Sequence, residues 1–199
     1  PAIQEARDKY PNSRICFITA HAGMETLELM GFKQDEILLM STASLSGMFL
    51  DLMSIRKNFN GKSVSAIVLE PFTRISALIS TWIGSSNRIG CHRFYNEGSY
   101  IGGLLTHRLV YNSHLHASQT YLALTKALSE PASIQPLLKM KIPSQTKNRL
   151  KININEIDQK ALKNRLKSEY PKKALKKIIL LNVNASDIVP LRKWPLDNF

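Results

Sequence analysis

Cysteine is scarce in this sequence, long apolar runs are missing and acidic residues are few, and each of these narrows the class of protein. The two cysteines, Cys16 and Cys91, stand far apart with no CxxC partner, so neither a disulfide framework nor a zinc site is expected. No apolar run reaches the roughly eighteen residues that a membrane-spanning helix needs, and no basic-then-apolar signal pattern opens the chain. The default expectation is a soluble, cytoplasmic protein.

What is abundant is positive charge. Against 15 Asp and Glu stand 27 Lys and Arg, a formal net charge of +12, and most of it is local. Between Lys139 and Lys177 thirteen basic residues face only Glu156, Asp158 and Glu169. Such a tract suits an anionic partner, either nucleic acid or an anionic membrane surface, or else a solvated helix and linker. Tyr170 is its one aromatic residue, which argues against nucleic acid. The ends are also informative. Pro1 is not a start methionine, and Trp194-Pro195-Leu196 looks like a helix start only a few residues before Phe199, so a fragment is expected.

The apolar fraction of 44% is ample for a core, and the chain is organised around residues 64–90. A β-branched run at 64–69 reads as a strand buried on both faces. Glu70-Pro71 stops it. Thr73 reads as the N-cap of a helix with Ile75, Leu78, Ile79 and Trp82 on its inner face; Gly84 ends that helix, and Arg88-Ile89-Gly90 starts the next strand. The economical reading is a βαβ crossover in a mainly parallel sheet. Upstream the pattern predicts a helix over 2–10, a strand over 14–19, a helix over 23–30 and a strand over 36–40. A longer helix follows from Ser44 to Asn60, with Leu45, Met48, Phe49, Leu52 and Met53 inward. Met24, Met30, Met40, Met48 and Met53 are all expected in the core rather than around a cofactor.

Downstream, the polar and glycine-bearing segment after Gly90 has the composition of a functional loop. A strand is expected over 106–111, then a helix over 116–128 with Ala117, Tyr121, Leu124 and Leu128 inward and His116 as its cap. Residues 129–146 carry Pro131, Pro136 and Pro143 and read as a linker. Asn155 with Asp158 resembles a capping box opening a basic helix to about Tyr170, and 178–181 reads as a buried strand delivering the loop 182–191. Strand, polar loop and helix start together make an anion-binding arrangement.

Four segments in this order resemble glycosyltransferase family nine, the ADP-heptose:lipopolysaccharide heptosyltransferases, over nearly the whole chain. PAIQEARDKYP is similar to the family's first helix after its Gly-Asp loop, and ISALISTWIGSSNRIG to its central "S-A-L … G … R-I-G" unit. LVYNSHLHASQTYLAL resembles the "Y-N … H … E-x-Y-L-x-L" segment, with Gln119 in place of the glutamate. LLNVNASDIVPLRKWPLDNF resembles the "N-P-G-A-S … K-x-W-P-x-x-x-F" donor loop, with Val183-Asn184 in place of Pro-Gly.

The resemblance implies a GT-B architecture, two Rossmann-like domains facing a cleft. Residues 1–130 would be most of the acceptor-side domain, 131–171 a linker and basic helix, and 172–199 the start of the nucleotide-sugar domain. The implied activity is transfer of a heptose or related sugar, with inversion, from ADP-heptose to a lipopolysaccharide core acceptor at the inner face of the inner membrane. No metal or cofactor beyond the nucleotide-sugar is implied. The catalytic Asp would precede Pro1, so these 199 residues alone are not expected to turn over. Asn184, Ala185, Ser186, Arg192 and Lys193 would cradle the donor diphosphate, Arg192 through a bidentate fork. Arg74, His92 and Arg93 are the candidates for an anionic acceptor, because all three fall near one edge of the expected sheet. The alternative readings are a non-catalytic basic α/β module that binds nucleotide or nucleic acid, and a scaffold that has lost catalysis.

Overall fold

A computed structural model describes residues 2–70, 73–92, 103–134 and 154–171. The chain divides into two compact units, Pro1–Asn153 and Ile154–Phe199. Among the described residues no helix is long and apolar enough to cross a membrane.

The first unit is α/β with parallel strands. In chain order it runs α1 (Ala2–Lys9), β1 (Phe17–Thr19), α2 (Met24–Leu29), β2 (Ile37–Leu39), α3 (Leu45–Phe59), β3 (Ser65–Ile67), α4 (Ile75–Trp82), β4 (Asn87–His92), β5 (His107–Val110) and α5 (Ala117–Ala127). Single 3-10 turns, His21–Gly23 and Gln34–Glu36, precede α2 and β2. β1 pairs with β2 in parallel, and β3, β4 and β5 form a parallel sheet in that order. The expected βαβ unit is present as β3-α4-β4, with Ser65 opposite Asn87 and Ile67 opposite Ile89.

The alternation of β4 explains why helices flank its sheet on both faces. Ile89 and Cys91 point one way and pack with Leu109 of β5 and with Ala123, Leu124 and Ala127 of α5. Gly90 points the other way, where Val68, Leu105 and Ala77 of α4 meet. A Cβ at Gly90 would stand 3.0 Å from a Leu105 methyl carbon and 3.2 Å from Val68 Cβ, so a side chain there would press these neighbours back by a few tenths of an ångström. Two further apolar clusters close the unit. Leu27, Phe32 and Ile37 pack with Phe17 and Ile3, while Ile55, Ile79 and Ile83 pack with Ile18, Leu38 and Val64. Gly84, at φ +81°, turns the chain out of α4.

The helix faces differ from expectation. On α4 the buried residues are Ala77, Ile79 and Ser80, followed by Ile83, whereas Ile75, Leu78 and Trp82 are exposed. On α3 the core takes Ile55 with Leu52 and Phe59, and Leu45, Phe49 and Met53 lie outside. Met53 therefore leaves the predicted methionine core. On α5 Leu124 is buried as expected, but Ala117 and Tyr121 are exposed, and Leu122, Ala123, Thr125 and Ala127 are buried in their place. Close packing explains the exchange on α4. A helix laid tightly on a sheet takes small side chains underneath, so Ala77 and Ser80 go in and the larger residues stay out.

Other differences are local. The strands are shorter than the apolar runs that mark them, and Ser65 at the start of β3 is exposed rather than buried on both faces. Arg74, not Thr73, is the N-cap of α4, and the Thr73 hydroxyl donates to Glu70. In the second unit α6 (Glu156–Glu169) is capped as expected by Asn155, whose Oδ1 accepts from Ile157 N–H at 2.6 Å. No residue of α6 is buried, and its Arg165 pairs with Glu169 at 2.9 Å.

Candidate active site

Ligands of parallel α/β sheets sit beyond the carboxyl ends of the strands, where the chain turns from strand to helix. The β3–α4 turn supplies a carboxylate there. One oxygen of Glu70, Oε2, accepts from Thr73 Oγ1 at 2.8 Å and from Ser76 Oγ at 2.5 Å, which ties the turn to the first turn of α4. Arg74 stands between those two hydroxyl residues, exposed, with no side-chain bond to the helix it caps.

His92 is the last residue of β4, and carrying the β3–β4 register forward sets it level with Glu70. Its side chain shares the α4 face of the sheet with that of Arg108, which lies opposite Gly90 on β5. His92 is buried. Burial, and secondarily the positive charge of Arg108, hold its imidazole below the ordinary pKa of 6.5. At neutral pH it is therefore a neutral hydrogen-bonding group rather than a cation. The sign of the linkage follows. A histidine depressed on folding contributes its full stability above about pH 6.5, and loses it as the pH falls below that value and the unfolded chain takes up the proton first. The urea midpoint is expected to drop between about pH 7.5 and pH 5, and to drop less in His92→Gln. Equal slopes in the two proteins would exclude this role.

The structure thus brings Arg74 and His92 to one edge of the sheet. Arg93 and the donor group Asn184, Ala185, Ser186, Arg192 and Lys193 lie outside the described residues. Two residues of this edge carry little signal in the sequence: Arg108 stands as a charge inside an apolar strand, and Glu70, expected only to stop β3, also ties the turn to α4.

Arg88, in the segment that resembles the central family unit, is fastened into the fold. Its Nε donates to Leu104 O and its NH1 to Ser85 O, both at 2.5 Å, so its guanidinium is a clasp between β4 and the residues before β5. His116 is likewise structural. Its imidazole accepts from Ser118 N–H at 3.1 Å, and Gln119 Oε1 returns to His116 N–H at 3.2 Å, a reciprocal cap on α5. His116→Ala is expected to cost about 1 kcal/mol, read as a lowered melting temperature; an unchanged one would show that the cap adds nothing.

A concavity of about 270 Å³ lies at the opposite, amino end of β1 and β2, lined by Arg7, Tyr10, Pro11, Ser13, Ile15 and Glu36. It touches none of the expected site residues, and Arg7 is drawn across it toward Glu36 at 3.9 Å. Among the described residues no group of three or more His, Cys, Asp or Glu is placed to hold a metal ion. The buried Cys91 thiol is pushed up to about 11 by burial, so it is a packing residue at neutral pH rather than a nucleophile. Set against protein-family models, curated proteins and solved structures, the chain matches none.

Proposed function

We propose that this chain belongs to an inverting glycosyltransferase of GT-B type that moves a heptose from a nucleotide-sugar, ADP-heptose, to a lipopolysaccharide core acceptor. The reading rests on the resemblance of its four segments. The observation that carries it in three dimensions is that Arg74, at the head of the helix after β3, and His92, at the end of β4 with Arg108 on the same face, both fall at the carboxyl edge of the parallel β3-β4-β5 sheet. The exposed Arg74 supplies charge to an anionic acceptor, and the neutral His92 supplies a hydrogen bond that positions an acceptor hydroxyl.

In the reaction the acceptor hydroxyl oxygen bonds to the anomeric carbon from the face opposite the donor. The bond from that carbon to the diphosphate oxygen breaks, and a base takes the hydroxyl proton. On the resemblance, that base is an Asp preceding Pro1, and Asn184, Ala185, Ser186, Arg192 and Lys193 neutralise the departing diphosphate. In this reading the protein works in the cytoplasm beside the inner membrane, where its acceptor is held, and residues 172–199 open the donor domain.

The test is transfer of labelled heptose from ADP-heptose to a deep-truncated lipopolysaccharide acceptor by the parent protein, which in this reading carries the base and the whole donor domain, with donor binding measured by calorimetry. Transfer that falls in Arg74→Ala supports the reading; neither transfer nor saturable donor binding overturns it. The second reading, a basic binding module, draws on the basic helix α6, none of whose residues is buried. Binding to RNA that weakens steeply with salt, with no affinity for nucleotide-sugar, would favour it.

A further inference from the structure

The outward stripes of α3 and α4 form one surface. Leu45, Phe49 and Met53 follow each other at i, i+4 and i+8 on α3, and Ile75, Leu78 and Trp82 at i, i+3 and i+7 on α4. The stripes join where the Phe49 and Trp82 rings meet at 5.9 Å. These side chains are well exposed, Leu45 at 81% and Phe49, Ile75 and Leu78 each at 53%. α4 carries no charged residue, so it is apolar on the side that meets the core and apolar again on the side that meets water. A helix patterned this way is built to be covered on both sides.

The charges around the stripe specify the cover. Arg56 and Lys57 in the last turn of α3 and Arg74 at the head of α4 flank it; of the nearby acids, Asp51 is engaged by Ser41 N–H at 2.8 Å and Glu70 accepts from the Thr73 and Ser76 hydroxyls. Arg56 lies over the Trp82 ring at 5.2 Å while its NH1 donates to Trp82 O at 2.9 Å. An indole topped by a guanidinium presents an apolar body with a cationic end, the arrangement that settles at the boundary between acyl chains and headgroups. A second copy of this chain would set Arg56 and Lys57 against like charge, and a neutral protein partner would leave both without an anionic counterpart. We infer that the α3–α4 face is a membrane-docking surface for a bilayer bearing anionic headgroups.

The docking surface stands apart from the sugar chemistry. One consequence rests on the transferase reading. Leu45 and Ile75 are the first residues of their helices and follow the carboxyl ends of β2 and β3, so docking brings the bilayer to the edge that holds Arg74 and His92. A lipid-anchored acceptor would then meet the site without leaving the membrane.

The test uses the full chain with Trp194→Phe, which makes Trp82 its sole indole. Vesicles of phosphatidylcholine with phosphatidylglycerol are expected to bind it and shift its emission to the blue, and vesicles of phosphatidylcholine alone to do so far less. In Leu45→Ser/Phe49→Ser/Leu78→Ser vesicle binding is expected to fall roughly tenfold or more, with the unfolding midpoint kept because these side chains are exposed. Three results would overturn the inference: Trp82 emission blind to anionic vesicles, undiminished binding by the triple variant, or a dimer in sedimentation that the triple variant dissociates. The second would move membrane binding to the basic tract; the third would make a second copy the occupant. None of these readings involves sugar transfer, so failure here leaves the enzymatic reading to its own assay.

Discussion

Leu124→Ala is expected to lower stability by about 3 kcal/mol, seen as an earlier urea midpoint with an unchanged slope. Leu124 is 1% exposed and sits where α5 meets β4, among Ile89, Cys91, Leu109 and Ala127. Removing its isobutyl end costs the transfer energy of the lost carbons and leaves a cavity that the surrounding strands cannot collapse to fill, since Ile89 and Leu109 are fixed by the parallel ladder. Leu78→Ser provides the contrast. The same residue type, also at helical spacing but on the outer face of α4, is expected to change stability by no more than about 0.5 kcal/mol. Similar losses at the two positions would mean that α4 is buried on its outer face in solution.

On the transferase reading, Arg192→Ala in the parent protein is expected to slow sugar transfer about a hundredfold or more, near 3 kcal/mol of transition-state stabilisation, with no change in melting temperature. The reason is chemical. A departing nucleoside diphosphate gathers charge as the glycosidic bond stretches, and a fixed cation there is worth more in the transition state than in the ground state. Arg192→Lys keeps the charge and loses the fork, so it is expected to recover only part of the rate, which separates bidentate recognition from simple neutralisation. Within the transferase reading, an Arg192→Ala protein active to within about threefold of the parent would remove this loop from the donor site.

The order of elements was legible because each signal is local. Gly84 must end α4 since no side chain is comfortable at its φ, His116 sits one residue before an apolar periodic run, and 64–90 alternates between strand and helix periods within one crossover. The direction in which a helix turns its apolar residues was not legible. Periodicity tells which side chains share a face, and α4 has two apolar faces; choosing between them requires the distance to the sheet, which Ala77 and Ser80 make short. The edge of the site was half legible for a related reason. Arg74 follows a recognisable strand end, but the setting of His92 by Arg108 depends on the β4–β5 register, which no stretch of sequence encodes by itself. The donor residues from Asn184 to Lys193 remain on the footing of the resemblance.

The packing of α1 against α5 has a consequence for how the protein is made. Tyr10 Oη and Ser129 Oγ lie 3.0 Å apart, and the Thr125 hydroxyl reaches Ala2 O, across separations of 119 and 123 residues. At about 5–20 residues per second a ribosome needs roughly 6–24 s to synthesise that interval. Throughout it α1 waits beside the early strands without the helix it is built to meet. Chaperones that bind nascent chains have that interval in which to hold α1, and the emergence of α5 ends it.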